Sequence, residues 1–286
     1  MEARHGHEVA ADGADVLMRL SAIAAIAVVV ALAVAGCGSS KSKQAAAKPV
    51  SSALIVNAAS KSVRSGSVEA DFKLAGSGVN GSGSGVFNTG PSRSGQLSMK
   101  IQLQSAQVPI DSVITGNVLY IRSPALTQQL GLSRDKQWLK LDLGQLAQQR
   151  GIDLSSLANA SPTPASALLY LRGAGNVQEV GHETVDGVDT THYRVTVDLE
   201  RAAARSNGSE RESLRRVIQT SGAKKLPIGV WVDADGYVRK VRYAQREAAG
   251  RSVVVTMNLH DYGAPVTIKP PPADTVVDAS KALGAG

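Results

Sequence analysis

The segment from Leu97 to Gln104, Leu-Ser-Met-Lys-Ile-Gln-Leu-Gln, alternates apolar and polar residues without a fault. A period of two puts successive side chains on opposite faces of a β-strand, so the apolar side chains of this segment share one face. Asp186-Gly187 and Asp235-Gly236 each separate two patterned segments and predict tight hairpin turns. Strands joined in this way form an antiparallel sheet, and a sheet of many strands tends to curl.

Patterned segments of this kind recur along most of the chain. They predict about ten strands, near Val68–Ser77, Ser82–Asn88, Leu97–Gln104, Val118–Ile121, Trp138–Leu143, Val177–Val185, Thr191–Leu199, Leu226–Val232, Tyr237–Gln245 and Arg251–Tyr262. Aromatic residues are few (two Phe, two Trp and six Tyr), so we expect aliphatic side chains to line any core or cavity.

Three other segments have the period of an amphipathic helix. Helices are predicted over Pro49–Arg64, over Pro162–Arg172 and over Ser209–Thr220. The third is predicted to open with a capping box that ends at Glu212 and to stop at Gly222. The predicted fold class is therefore α+β: a curved antiparallel half-barrel of about ten strands, with two to four helices covering its apolar concave face.

The single cysteine, Cys37, follows the most apolar stretch of the chain. Residues 20–36 carry no charge, Arg19 precedes them and small residues end them, which is the order of a secretory signal peptide. Val34-Ala-Gly-Cys37 resembles the bacterial lipobox, in which the thiol receives a lipid and cleavage leaves the cysteine first. Cys37 is thus predicted to be a membrane anchor, because two acyl chains hold a protein where one does not. The alternative is an uncleaved membrane helix that ends in an incidental cysteine.

The predicted organisation has four parts. Residues 1–36 are assigned to the signal peptide. Because acidic residues 2–15 do not suit a signal's basic start, a start of translation at Met18, which leaves a signal of 19 residues, is the interpretation that the sequence favours. Residues 37–48 form a flexible polar tether. Residues 49–269 form the folded domain, and the Pro-rich residues 270–286 form a loosely ordered tail.

The net charge of the chain is +7, and removal of the leader makes it more basic. Residues 1–36 contain two of the 31 basic residues and four of the 24 acidic ones, so the remainder carries +9. This excess favours contact with anionic surfaces such as membrane headgroups or wall polymers, although a generally basic proteome explains it equally well. The basic residues are scattered without an Arg-rich arm, which argues against nucleic acid.

Motifs for catalysis and cofactors fail on inspection. Gly76-Ser-Gly-Val-Asn-Gly81 matches a dinucleotide fingerprint, yet more glycines follow instead of a helix, so a Gly-rich hairpin is predicted. Asp233-Ala-Asp-Gly236 lacks the spacing of a calcium loop and is interpreted as a turn. The five histidines are scattered, and His192 is interpreted as a strand residue that could pair with an acid. We expect no enzyme activity, no cofactor and no metal.

Several loose motifs, taken in order, resemble one family. These are Val34–Cys37, Gly116–Tyr120 before Gln137–Asp142, Glu183–Tyr193, and Leu226–Gly236. Together they resemble the actinobacterial envelope lipoproteins of the LppX/LprA/LprF/LprG group, whose fold is similar to that of the LolA and LolB carriers. The resemblance implies a half-barrel with helices closing over an apolar cavity that holds acyl chains. The Gly/Ser-rich hairpin at residues 76–85 is a departure that predicts a smaller cavity or a wider mouth.

The predicted function is that of a lipid-anchored protein on the outer face of the plasma membrane that binds a lipid or lipoglycan and carries or presents it. Envelope transport machinery is an expected partner, and the protein is expected to be a monomer. The alternative is a non-carrier sensor or scaffold that binds a protein or wall polymer through its basic surface. Alternation along the strands predicts the cavity lining, which comprises Leu97, Met99, Ile101, Leu103, Val195, Val197, Val230, Val232, Val241, Val255, Met257 and Leu259.

Overall fold

The computed structural model describes residues 48–76, 78–90, 94–103, 106–133, 135–145, 163–246 and 252–279. All of them lie in one compact unit, Lys43–Gly284. The strands are β1 (Lys48–Val50), β2 (Ser67–Gly76), β3 (Val79–Asn88), β4 (Ser94–Leu103), β5 (Ala106–Thr115), β6 (Val118–Arg122), β7 (Trp138–Asp142), β8 (Ala174–Val185), β9 (Val188–Asp198), β10 (Lys225–Asp233), β11 (Val238–Arg246), β12 (Ser252–His260) and β13 (Val276–Asp278). The helices are α1 (Ser52–Arg64), α2 (Pro124–Gln129), α3 (Pro164–Tyr170), α4 (Leu199–Ala204) and α5 (Gly208–Ser221).

The 13 strands form one unclosed sheet in the order β1-β8-β9-β10-β11-β12-β2-β3-β4-β5-β6-β7-β13. Neighbouring strands are antiparallel except β13, which runs parallel to β7. The turn at Asp186-Gly187 has positive φ at both residues, 48° and 80°, as a tight hairpin turn of this kind requires. The α+β class and the large antiparallel sheet predicted from the sequence are confirmed.

Four helices pack on one face of the sheet, which we call the inner face. Buried side chains of α1, α3, α4 and α5 belong to the same core as the inner-face residues of the strands. The sequence of helix α1 shows why it packs on the sheet. Its buried residues recur at helical spacing and so form one face of the helix: Ile55, Ala58, Ala59 and Ser62. Ser51 caps its first turn by accepting a hydrogen bond from the Ala53 amide.

Strand β5 and helix α4 differ from the sequence prediction. Strand β5 was not predicted, because Pro109 and Asp111 interrupt its apolar pattern. Pro109 fits there because β6 pairs only with residues 111–115, which leaves one side of β5 unpaired at Pro109. Helix α4 was also missed, and its first residue, Leu199, was assigned to a strand.

The predicted capping box of α5 is wrong. The helix begins one residue earlier than Ser209, with Asn207 as its N-cap and no side-chain hydrogen bond there. Glu212 instead lies 3.3 Å from Arg215 on the same helix. The predicted stop is confirmed, because Gly222 ends the helix in the left-handed conformation with φ of 64°.

The two edge strands lie where the sequence predicted no strand: β1 comprises the last tether residue and the first two residues of the predicted helix Pro49–Arg64, and β13 lies in the predicted tail. Lys48 begins β1, and β13 follows the Pro-rich residues. Lys140 holds β13 to β7 through an ion pair with Asp278 at 2.8 Å. Within the part of the chain that the structure describes, no helix has the length and apolar character needed to cross a bilayer.

Candidate functional site: two halves of the inner face

The first half of the inner face is closed by the helices. It comprises β8 to β12 and β2, and we call it the covered half. Seven of the twelve predicted lining residues lie here with at most 2% of their surface exposed: Val195, Val197, Val230, Val241, Val255, Met257 and Leu259. They pack into the core beneath α1, α3, α4 and α5.

The second half comprises β3 to β7, and we call it the open half. Strand pairing places its apolar side chains on the same face as Leu97 and Met99, because residues directly opposite one another share a face. Most of these side chains are only half-buried: Ile101, Val108, Ile110, Ile114, Leu119, Ile121 and Leu141. The aliphatic side chains of the open half are therefore less deeply buried than those of the covered half.

Three glycines of β3 lie on the inner face where the covered half meets the open half, and we call this part of the sheet the floor. Gly81, Gly83 and Gly85 of β3 face Ile101, Met99 and Leu97 of β4 in the inner-face register. A Cβ on Gly83 would lie 2.7 Å from Cγ of Met99 and closer still to the carbonyl oxygen of Ser98. The missing side chain therefore lets Met99 lie flat against the sheet, and the flexible thioether fills the space that a larger floor residue would occupy.

A cavity of 160 Å³ opens where α3 and α5 meet the open half. Phe87 and Ile114 line it from the sheet, Leu169 from α3, and Leu214 and Val217 from α5. Phe87 is held edge-on to Phe72, with ring centroids 5.8 Å apart. The cavity is smaller than the roughly 300–1,000 Å³ usual for small-molecule sites, in keeping with side chains that occupy the floor.

The remaining predicted residues are spread over the site. Leu97 and Met99 are buried at the boundary, Ile101 is half-buried, and Leu103 is the last residue of β4. Val232 borders a separate open cleft of 690 Å³ beside the β8–β9 hairpin, among polar groups. Cys37 lies outside the described residues. The assignment of the twelve residues as ligand contacts stays a prediction.

Sequence reasoning missed the residues around the cavity. Ile114 belongs to β5, which was not predicted, and Val217 lies in the predicted helix Ser209–Thr220, to which no lining residue was assigned. Phe87 carried a usable signal, because it continues the alternation of the three glycines along β3 onto the same face. The meeting of α3 with α5 has no local signal, since it depends on how distant segments pack.

A polar cluster lies on the other, outer face of the covered half. The rings of His192 and Trp231 stack 3.9 Å apart, and the indole N–H donates to Oε2 of Glu183 at 2.9 Å. Lys240 lies over the Trp231 ring, 4.4 Å from its centroid. Burial lowers the pKa of His192, and the nearby Glu183 carboxylate opposes this only in part. His192 is a strand residue, as interpreted from the sequence, and its Nδ1 lies 3.3 Å from Oε1 of Glu183 within this packed cluster.

Among the described residues, Glu69, His260 and Asp261 bring potential metal-ligand atoms within 4.8 Å of one another. His260 already has partners, with Nδ1 2.7 Å from Asp261 and Nε2 3.4 Å from Asp71. Burial lowers the pKa of His260, but these two carboxylates outweigh it and raise the pKa overall. The geometry therefore places His260 in an ion-pair network with Asp71 and Asp261.

Comparison with known proteins begins with sequence. No family model matches the chain. It is similar to a curated protein of Streptomyces griseus, an uncharacterized 31.2 kDa protein from the rplA-rplJ intergenic region, with 29% identity over 157 residues. The match covers 53% of this chain and 51% of that protein, so the chain spans about half the length of the curated relative.

Similar solved structures include two mycobacterial lipoproteins. LprF from Mycobacterium bovis has 14% identity and a TM-score of 0.48, with 77% of this chain and 96% of LprF covered. LppX from Mycobacterium tuberculosis has 16% identity and a TM-score of 0.44, with 77% of this chain and all of LppX covered. Both structures belong to the group that the sequence motifs resemble. At these scores the likeness says nothing about a ligand or partner.

Proposed function

We propose that this chain is an envelope lipoprotein that binds an acyl chain of a lipid or lipoglycan on the open half of the inner face. The observation that carries the proposal is the set of seven half-buried aliphatic side chains on β4 to β7. They adjoin the cavity between α3 and α5, with Ile114 common to both. Binding and release of an acyl chain need no covalent chemistry.

The open half is large enough for burial of an acyl chain to give a useful binding free energy. Its five strands span about 19 Å across, from a spacing of about 4.8 Å between neighbours. Burying about ten methylenes there would give about 8 kcal/mol, which corresponds to micromolar affinity before the costs of association. The covered half offers no comparable gain, because its side chains already contact one another.

Space for the acyl chain would be made by movement of side chains at the boundary between the two halves. Met99 lies against Gly83 and is the most adaptable of them, since Met has three rotatable bonds. Phe87 lines the cavity and would have to turn away, or α3 and α5 would have to separate. In this proposal the unliganded protein keeps its floor filled and exchanges those contacts for contacts with the acyl chain.

The predicted anchor supports a role at the membrane. A lipid on Cys37 and a polar tether of 12 residues would keep the domain at the surface that supplies its ligand, which raises the effective concentration. Cys37→Ser would then move the protein out of the membrane fraction. Mass spectrometry of the wild-type amino terminus would show the cysteine as the first residue, with acyl chains attached.

A blocking variant tests the binding site. Ala165 lies on α3 at the exposed rim of the cavity, so Ala165→Trp would fill the mouth without disturbing the core. Ala244→Trp adds the same bulk on an exposed position of the outer face and serves as control. We expect a diacylglycerol with a photoreactive acyl chain to label the full-length wild-type protein and the control, and to label Ala165→Trp at least about tenfold less.

Two results would count against the proposal. Equal labelling of all three proteins would place acyl-chain binding elsewhere. No labelling of any of them, together with binding of a wall polymer or envelope protein, would favour the sensor or scaffold alternative.

A further inference from the structure

Three arginines from distant parts of the sequence line one groove on the helical side of the molecule. Arg64 ends α1, Arg172 lies in the short 3-10 helix after α3, and Arg205 follows α4. The groove has a volume of 340 Å³, and its other lining residues are Val56, Ser60 and Val63 of α1. Spacings of three and four put those residues and Arg64 on one helical face.

Contacts within the fold hold two of the guanidinium groups in place. Arg172 Nη1 donates to Oε2 of Glu210 at 2.6 Å, which neutralises one charge. Arg205 Nη1 donates to the backbone carbonyl of Arg172 at 2.8 Å, which positions the guanidinium but leaves its charge. Within the described residues, the guanidinium of Arg64 makes no hydrogen bond or ion pair. Two positive charges in the groove are thus without a carboxylate partner there.

Several like charges around one concave surface repel each other unless an anion lies between them. The planar, always-charged guanidinium binds phosphate through two parallel N–H···O hydrogen bonds, better than a lysine point charge does. We infer that this groove binds a phosphate group, with Arg64 and Arg205 as its principal ligands and Arg172 in the same lining.

The position of the groove indicates a lipid as the source of that phosphate. Arg172 lines the groove, whereas Glu210 lines the cavity between α3 and α5. The groove and the cavity are therefore neighbours, because the two partners of one ion pair each line one of them. A phospholipid could place its headgroup among the arginines and its chain in the cavity. This choice of source rests on the proposed function, whereas the phosphate site itself does not.

The test compares two photoreactive lipids that differ only in the headgroup, phosphatidylglycerol and diacylglycerol, on the full-length chain in non-ionic detergent. Arg64→Gln with Arg205→Gln removes the two unpaired charges and keeps the Arg172–Glu210 pair. Lys73→Gln with Arg242→Gln removes two exposed charges from the outer face and is the matched control. We expect wild type and control to prefer phosphatidylglycerol, and the groove variant to lose that preference by about tenfold or more.

Inorganic phosphate distinguishes the two sources. If it shifts the side-chain NMR signals of Arg64 and Arg205 while the lipids are labelled equally, the site binds free phosphate. If it does not displace phosphatidylglycerol at millimolar concentration, the lipid is the ligand. The inference is overturned if the groove variant keeps the full preference, if the control loses it equally, or if wild type binds neither phosphatidylglycerol nor inorganic phosphate.

The two proposals fail separately in this experiment. Labelling by diacylglycerol without any headgroup preference or phosphate binding would leave the acyl-chain site standing and remove the phosphate site. Phosphate binding without labelling by either lipid would support the phosphate site and remove the acyl-chain site.

Discussion

The covered half and the open half of the inner face carry the same kinds of aliphatic side chain but differ in burial. In the covered half, Val230, Met257 and Leu259 are at most 1% exposed beneath the helices. In the open half, Ile110, Leu119 and similar residues are half-buried. Alternation along the strands places both sets of side chains on one face, whereas the position of the helices decides which set is already buried. Only the half-buried side chains of the open half would lose further exposed surface, and so gain burial free energy, when an acyl chain binds.

The largest expected effect comes from a matched pair of Leu→Ala substitutions. Leu259→Ala leaves a cavity in a closed core and should lower the free energy of unfolding by about 2–5 kcal/mol. Leu119→Ala removes a half-buried side chain and should cost about 1 kcal/mol. Urea denaturation of both variants measures the difference. Equal losses would mean that the two halves are packed alike.

An intermediate effect is expected at the glycine floor. Gly83→Ala puts a methyl group against Met99 and the backbone of β4, and should cost about 1–3 kcal/mol. Gly90→Ala is the control, because a Cβ there has nothing within 4 Å, and it should change stability by less than about 0.5 kcal/mol. If Gly83→Ala is as harmless as the control, Met99 has no fixed position on the floor.

The smallest effect is a pH dependence confined to the covered half. Burial holds the pKa of His192 below its ordinary value of 6.5, so the unfolded chain binds a proton there more readily than the folded one. The stability that neutral His192 confers is present above pH 6.5 and is lost as the pH falls below it. Unfolding free energies at pH 7.5 and 5.5 should differ more in wild type than in His192→Gln. Identical pH dependence in both proteins would contradict the assignment.

The sequence could predict what depends on neighbouring residues. The alternation of Leu97 and Met99, the Asp186-Gly187 turn and the Gly222 helix stop are local signals, and each is found in the structure. Strand β5 was missed because the unpaired side that accommodates Pro109 is a property of the sheet. The same holds for the site, since Phe87 and Ile114 meet α5 only through packing. The groove arginines come from positions 64, 172 and 205, and no local spacing joins them.

The account depends most on whether the open half holds an acyl chain. Native mass spectrometry of the full-length protein extracted from its own membrane, with Ala165→Trp alongside, measures this directly. We expect wild type to carry about one additional lipid, beyond any covalent anchor, and the variant to carry none. Wild-type protein without any bound lipid, or the same lipid content in both proteins, would contradict the account.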